Sequence, residues 1–244
     1  MNLNLPVAIL AGGLATRLRP VTESIPKSLI SVAGRPFIFW QLNHLREQGL
    51  VDVVLCVGHL GNMIRDVVGN GEAFGLRIRY SDDGPGLLGT GGAIAKAIPL
   101  LGDQFFILYG DSFLPINFDL IHKAYKQSKL PALMVVLKNR NQWDKSNVLF
   151  VDGRLVEYNK RVPRREMSHI DYGLGIISAS IMRQFPVDRA FDIADVYHDL
   201  SRRGCLVGFE VHQRFYEIGS YTGLKEAEDY FLEKERICRT RKNT

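Results

Sequence analysis

Residues 7–29 constrain what this chain can fold into more than any other stretch. An apolar run, Val7–Leu10, leads into Ala11, Gly12 and Gly13. The run reads as a buried strand bounded by a turn. The two glycines let the backbone turn sharply and let N–H groups approach a ligand with no Cβ in the way. Consecutive N–H groups in such a turn form a concave anion-binding nest. Arg17 and Lys27 then add two cations. Arginine offers a planar fork for phosphate oxygens, and lysine a mobile point charge. A strand, a glycine turn and two cations in this order can hold a polyphosphate. The plainer alternative is a turn followed by two surface cations.

The rest of the first half alternates strand and helix. Strands are expected at Asp52–Val57, 76–80 and 105–109. A helix at 36–48 starts on a proline, suited to a first turn, and ends at Gly49, suited to a C-cap. Helices are also expected at 60–68 and at 90–98, the latter stopped by Pro99. Such alternation argues for a three-layer, Rossmann-like α/β domain around a mainly parallel mixed sheet. The second half is denser in strands: 133–138, 147–151, 155–158, 170–178 and 206–210. A hairpin is expected at Asp152-Gly153. Helices are expected at 191–203 and from Ser220, a plausible N-cap, to about residue 235. No repeat or linker interrupts residues 1–236, which read as one domain. Residues 237–244 read as a frayed basic tail.

Composition narrows the class. Of the 244 residues, 46% are hydrophobic and 23% charged, as in soluble globular proteins. The net charge of +5 suits anionic small molecules without demanding nucleic acid. No nucleic-acid or membrane partner is expected. Cys56, Cys205 and Cys238 lie far apart and fit no metal spacing, as in a reduced, cytoplasmic protein. No apolar run approaches the roughly eighteen residues of a membrane helix, and no leader segment is recognisable. The sequence leaves a homo-oligomer open.

Two further segments carry chemistry. Gly110-Asp111 closes a predicted central strand, where ligands of open α/β sheets bind. A carboxylate there can hold Mg²⁺ beside phosphate oxygens, or merely cap a turn. Gly89-Thr90-Gly91-Gly92 opens a helix, whose N-terminus favours anions. A rival fingerprint overlaps it. Gly84, Gly86 and Gly89 fit Gly-x-Gly-x-x-Gly, with Asp111 about twenty residues on, as in an NAD-dependent enzyme. Against it, the glycines follow the third strand, Asp82 and Asp83 put charge where a pyrophosphate should approach, and Arg17 and Lys27 go unexplained.

The run from Gly12 to Leu18, with Pro20 and Pro26-Lys27-Ser28-Leu29, resembles the N-terminal motif of the sugar-1-phosphate nucleotidyltransferases. Ala15 stands where that family has glycine, a replacement tolerated unless φ is positive there. Phe215 to Ser220 resembles the family's late Asp-Ile-Gly segment, with Glu217 at the aspartate position. Val156 to Lys160 resembles the segment whose lysine meets the sugar phosphate, with Asn159 replacing a glutamate. The resemblance implies that Leu10, Ala11, Gly12, Gly13, Arg17, Lys27, Gly89 and Thr90 bind nucleotide. It implies that Gly92, Asn147, Lys160, Tyr172 and Gly173 bind sugar phosphate. Asp111 and Glu217 would hold Mg²⁺, and Arg17, Lys27 and Asp111 would carry catalysis. The implied substrates are an NTP and a sugar 1-phosphate, giving NDP-sugar and pyrophosphate. Heptose 1-phosphate guanylyltransferases and N-acetylmuramate 1-phosphate uridylyltransferases are the nearest types, with a weak lean to guanylyl transfer to a heptose or mannose-like sugar. A nucleotide sensor without turnover is the non-enzymatic alternative. No acyltransferase extension is expected after the closing helix.

Overall fold

The computed structural model describes residues 5–242. The first half runs β1 (Val7–Leu10), α1 (Val21–Ser24), β2 (Ser31–Val32), β3 (Arg35–Pro36), α2 (Phe37–Glu47), β4 (Asp52–Val57), α3 (Gly61–Val68), β5 (Arg77–Asp82), α4 (Gly89–Leu101) and β6 (Gln104–Tyr109). The second half runs β7 (Ser112–Phe113), α5 (Phe118–Ser128), β8 (Ala132–Lys138), β9 (Val148–Val151), β10 (Arg154–Tyr158), β11 (His169–Ser178), α6 (Ala179–Met182), α7 (Ile193–Arg202), β12 (Leu206–Val211), β13 (Tyr216–Glu217) and α8 (Tyr221–Lys242).

One mixed sheet of nine strands organises the fold. Its main path is β10-β9-β11-β6-β1-β4-β5, with β8 joining β11 to β12. The stretch β6-β1-β4-β5 is parallel throughout, and β8 and β12 are also parallel. Strand β11 runs antiparallel to both β6 and β8. Apolar side chains from both faces of the sheet meet helices. Ile38, Leu42 and Leu45 of α2 bury with Val7, Ile9 and Val53 on one face. Ile94, Ala97 and Leu101 of α4 bury with Ala8, Val54 and Ile107 on the other. A smaller cluster seats Phe231 of α8 on Phe37 and Phe113.

The hairpin between β9 and β10 turns at Asp152 and Gly153, with φ of 48° and 75°. Two positive φ values in a two-residue loop are the geometry that right-twisted strands prefer. Two expectations need correction, and one helix comes in addition. Helix α4 does not stop at Pro99 but runs to Leu101. Pro99 gives up one i→i−4 hydrogen bond, and burial of the fully enclosed Leu101 offsets that loss and holds the last turn in place. Helix α8 continues to Lys242, so the basic residues to 242 are helical rather than a separate tail. Ion pairs Arg236–Glu233, Arg239–Glu235 and Arg35–Glu235 line that extension. Residues 243–244 lie outside the described residues. Helix α5 was not foreseen. Asn117 caps it by accepting from the N–H groups of Asp119 and Leu120, and Phe118, Ile121 and Tyr125 form its buried face.

Candidate active site

The carboxyl ends of β6, β1, β4 and β5 surround a cavity of about 240 Å³. Of the residues the sequence singles out, Leu10, Ala11, Gly12, Gly13, Lys27, Gly89, Thr90 and Asp111 line it. Gly12 is forced by closeness: a Cβ there would stand 2.9 Å from Gly58 N. Ala15 has φ of 49°, so the chain keeps the left-handed turn that suits glycine. The strain is of order 1 kcal/mol. Thr22 Oγ1 donates to Ala15 O at 2.8 Å and ties the turn to α1.

Lys27 and Asp111 come together although 84 positions separate them. Lys27 Nζ donates to Asp111 Oδ2 at 2.9 Å, with the lysine side chain 19% exposed. The antiparallel pair β7–β13 brings Glu217 opposite Ser112, one residue from Asp111. The Glu217 carboxylate accepts from Gly219 N and, at 2.7 Å, from Ser220 Oγ. It therefore reaches toward the start of α8. A Cβ at Gly219 would lie 3.5 Å from Lys27 Nζ and 3.6 Å from Asp111 Oδ2, so both acids sit around one glycine. Among the described residues no group of three or more His, Cys, Asp or Glu could hold a metal ion. Two carboxylate oxygens with phosphate and water oxygens are what Mg²⁺ prefers, and this pair fits that donor set.

Other expected residues stand apart from the cavity wall. Arg17 is exposed on the loop after the glycine turn. Gly92 closes against the backbone of Arg189, 2.7 Å from where its Cβ would be. Lys160 Nζ pairs with Asp192 Oδ2 at 3.0 Å. Asp192 Oδ1 accepts from Thr90 Oγ1 at 2.6 Å and from Ala194 N at 3.0 Å. Lys160 is thus linked through Asp192 to the cavity wall at Thr90. Burial pushes the Asp192 carboxyl up, but its bonds to Thr90, Ala194 and Lys160 outweigh that and hold it below the ordinary value. Asn147 Oδ1 accepts from Asp171 N at 3.0 Å and so braces β11. The ring of Tyr172 is buried in the core against Phe215, so its side chain is closed to a substrate. Pairing of β11 with β8 shifts between Asp171 and Gly175, and Gly173 has φ of 90°. The shift adds two residues, so alternation is kept, and Tyr172 shares its core-facing side with Ile170, Leu174 and Ile176.

Sequence reasoning missed Asp171, Asp192 and Tyr109 and treated Asp83 only as an obstacle to another ligand. Only Asp192 carried a signal of its own, an Asp immediately before a helix. Burial raises the Asp171 carboxyl to about 6, opposed by the Gly173 N–H and Lys160. The sign of its effect on stability follows. An acid whose folded pKa lies above its unfolded one, here 3.8, destabilises the fold once ionised. That cost is absent below about 3.8 and complete above about 6. Asp171→Asn should therefore melt higher than the parent at pH 8, by up to about 3 kcal/mol in stability. The difference should vanish on titration to pH 4. Thermal unfolding across that range checks it, and a pH-independent difference would refute it. Burial, reinforced by Asp83, pushes the Cys56 thiol up to about 12 and leaves it inert.

The Gly84-to-Gly89 fingerprint is not a dinucleotide site. It follows β5, the edge strand of the main path. Asp111, which should meet a ribose, ends β6 at the other end of the parallel row and pairs with Lys27. Comparison with known proteins agrees. The family model for nucleotidyl transferases matches residues 7–145. The N-acetylmuramate alpha-1-phosphate uridylyltransferase of Neisseria meningitidis is 44% identical over 111 residues, 45% of this chain and 48% of that enzyme. The chain thus matches about half the length of that relative. The D-glycero-alpha-D-manno-heptose 1-phosphate guanylyltransferase of Campylobacter jejuni is 28% identical over 204 residues, 81% of this chain and 89% of that enzyme. The crystal structure of HddC from Yersinia pseudotuberculosis complexed with GMP-PN superimposes with a TM-score of 0.77. It is 22% identical and covers 93% of this chain and 99% of its own. At that identity the likeness speaks for the fold. Among the described residues no helix is long and apolar enough to cross a membrane.

Proposed function

The chain belongs to the nucleotidyl transferase family, and from that premise we propose that it joins an NTP to a sugar 1-phosphate, releasing pyrophosphate. One observation carries the reading. The glycine turn, Lys27 and Asp111 converge on one cavity at the carboxyl ends of the parallel strands. A phosphate monoester has a second pKa of about 6 and is largely dianionic near neutral pH. It can attack the α-phosphorus without a general base. A new P–O bond forms there as the bond to the β-phosphate oxygen breaks, and the electron pair leaves with pyrophosphate. The protein has to align two polyanions and offset their charge. The Gly12–Gly13 turn and Arg17 hold the triphosphate, and Lys27 faces the reacting phosphates. Lys160, released from Asp192, holds the sugar phosphate. Asp111 and Glu217 are the donors we assign to Mg²⁺, which when bound would offset charge on the α-phosphate.

We take GTP and a heptose or mannose-like 1-phosphate as the substrates. Supporting this is the long match to the heptose 1-phosphate guanylyltransferase. Uridylyl transfer to an amino-sugar 1-phosphate is the second reading, favoured by the higher identity to the N-acetylmuramate enzyme. Pyrophosphate release with each common NTP and a panel of sugar 1-phosphates tests the proposal. Nucleotide binding with no turnover across the panel would mark a sensor instead.

The two outlying cations should separate by substrate. Arg17→Ala should raise the KM for NTP, and Lys160→Ala the KM for sugar 1-phosphate, each by roughly ten- to hundred-fold. Both Michaelis constants measured for both variants check the assignment. If Lys160→Ala moves only the NTP constant, the sugar phosphate lies elsewhere.

A further inference from the structure

The first turn of α4 is covered by the chain itself. Gly91 N donates to Phe191 O at 2.9 Å and Gly92 N at 3.4 Å, and Phe191 N donates back to Leu88 O at 3.0 Å. The Phe191 ring fills the space that a Cβ at Gly91 would need. Amides that the sequence offers to an anion are therefore taken by a carbonyl. The anion at this helix start is Asp192, which accepts from Thr90 Oγ1 at 2.6 Å. The same residue caps α7. Its carboxylate thus faces the N-termini of two helices, which favour negative charge.

The two Asp192 oxygens divide their partners. Oδ1 accepts from Thr90 Oγ1 and, at 3.0 Å, from Ala194 N. Among the hydrogen bonds of the described residues, Oδ2 takes part in one, from Lys160 Nζ at 3.0 Å. That pair is open to water, the lysine side chain being 51% exposed and the aspartate 36%. Departure of Lys160 therefore leaves Asp192 neither buried nor unpaired: the bonds to Oδ1, the two helix starts and water still hold its charge. An ion pair this exposed is weak and exchangeable. A lysine, a hydroxyl and a backbone amide around one anion are also the donors that a phosphate group gathers.

We propose that Asp192 is an internal stand-in for the sugar phosphate, occupying Lys160 in the empty enzyme and giving it up only to a phosphate that brings a sugar. This rests on the nucleotidyl-transfer reading and goes beyond it, since Asp192 then works against affinity. While Lys160 is paired, the apparent affinity for any phosphate is scaled down by the fraction of protein in which the lysine is free. A sugar 1-phosphate makes up the difference through contacts of its ring. Inorganic phosphate has no ring and does not. Asp192 is thus a positioning residue that acts through Lys160 and keeps the sugar-phosphate site from filling with the wrong anion.

Asp192→Asn isolates this role. Asparagine caps a helix as well as aspartate does, and its carbonyl oxygen still accepts from Thr90 and Ala194. Its amide turns a donor toward Lys160, so the lysine is released. The KM for a sugar 1-phosphate that turns over should fall roughly two- to fivefold, and the inhibition constant of inorganic phosphate against that sugar should fall at least as far. The KM for NTP should not move. In a Lys160→Ala background the same substitution should change neither sugar-site constant. Damage to the fold acts in the opposite direction and raises both KM values. A sugar 1-phosphate KM that holds or rises in Asp192→Asn overturns the proposal, and so does an equal gain in the Lys160→Ala background. Should Asp192→Asn not fold, Asp192→Ser keeps a cap without the charge and is read by the same criteria. If no sugar 1-phosphate gives pyrophosphate, the transfer reading fails by itself. Calorimetric binding of inorganic phosphate to the parent, Asp192→Asn and Lys160→Ala proteins then judges Asp192 alone. Binding should be tightest in Asp192→Asn and weakest in Lys160→Ala, and a parent that binds as tightly as Asp192→Asn refutes the stand-in.

Discussion

Asp111→Asn should lower kcat by about 10²-fold or more while the fold survives. The amide is neutral and a weak metal ligand, so both Mg²⁺ affinity and charge stabilisation fall. The fold is spared because the side chain touches little: Lys27 at Oδ2 and Ser112 Oγ at Oδ1, the latter 3.2 Å away. The Asp111 carbonyl, which accepts from Ile218 N at 2.9 Å and holds β13 in place, is unaltered. Pyrophosphate release titrated with Mg²⁺, beside a melting curve, reads both halves of the expectation. Glu217→Gln should give a smaller defect that added Mg²⁺ relieves, since one acceptor remains toward Gly219 and Ser220. Near-parental turnover of Asp111→Asn at saturating Mg²⁺ would falsify the role and leave Asp111 a turn residue.

Where short apolar runs are bracketed by turn residues, local sequence and tertiary structure coincide. Strands β1 and β4 fall on the residues their composition implies because both are buried, short and valine- or isoleucine-rich. Element ends are harder. Pro99 breaks a helix in isolation, but Leu101 is buried on a sheet that the local pattern cannot see. The α8 extension rests on ion pairs, one of them from the distant Arg35. Within the site, Lys27 and Asp111 were legible because each sits in a motif directly after a strand. The burial of Tyr172 was legible as well, in its alternation with Ile170, Leu174 and Ile176, but the motif resemblance assigned it to the sugar instead. Asp83 was visible in the sequence only as charge in the wrong place for a dinucleotide. Its place needed the strand order, which sets it across the cavity from Lys27.

Lys27→Ala should cost kcat about 10²- to 10³-fold while each KM changes by less than roughly tenfold. Ground-state substrates can still be held by the glycine turn, Arg17 and Lys160. What Lys27 supplies, besides the Mg²⁺ assigned to Asp111 and Glu217, is a fixed cation where the phosphates react. Charge moves there from the attacking phosphate to the leaving pyrophosphate as the bond changes hands. Removal also strips Asp111 Oδ2 of its 2.9 Å partner, leaving one positive charge fewer against the same phosphates. The two effects act in one direction, which is why this substitution should exceed either outlying cation. Lys27→Met, which keeps the length of the side chain without its charge, should behave like Lys27→Ala, whereas Lys27→Arg should retain part of the rate. Steady-state constants for both substrates, with single-turnover rates to isolate the chemical step, decide the matter. A raised KM with kcat intact would place Lys27 in uniform substrate binding. Full activity in Lys27→Met would show that the chain contributes bulk at this position and that charge is offset elsewhere.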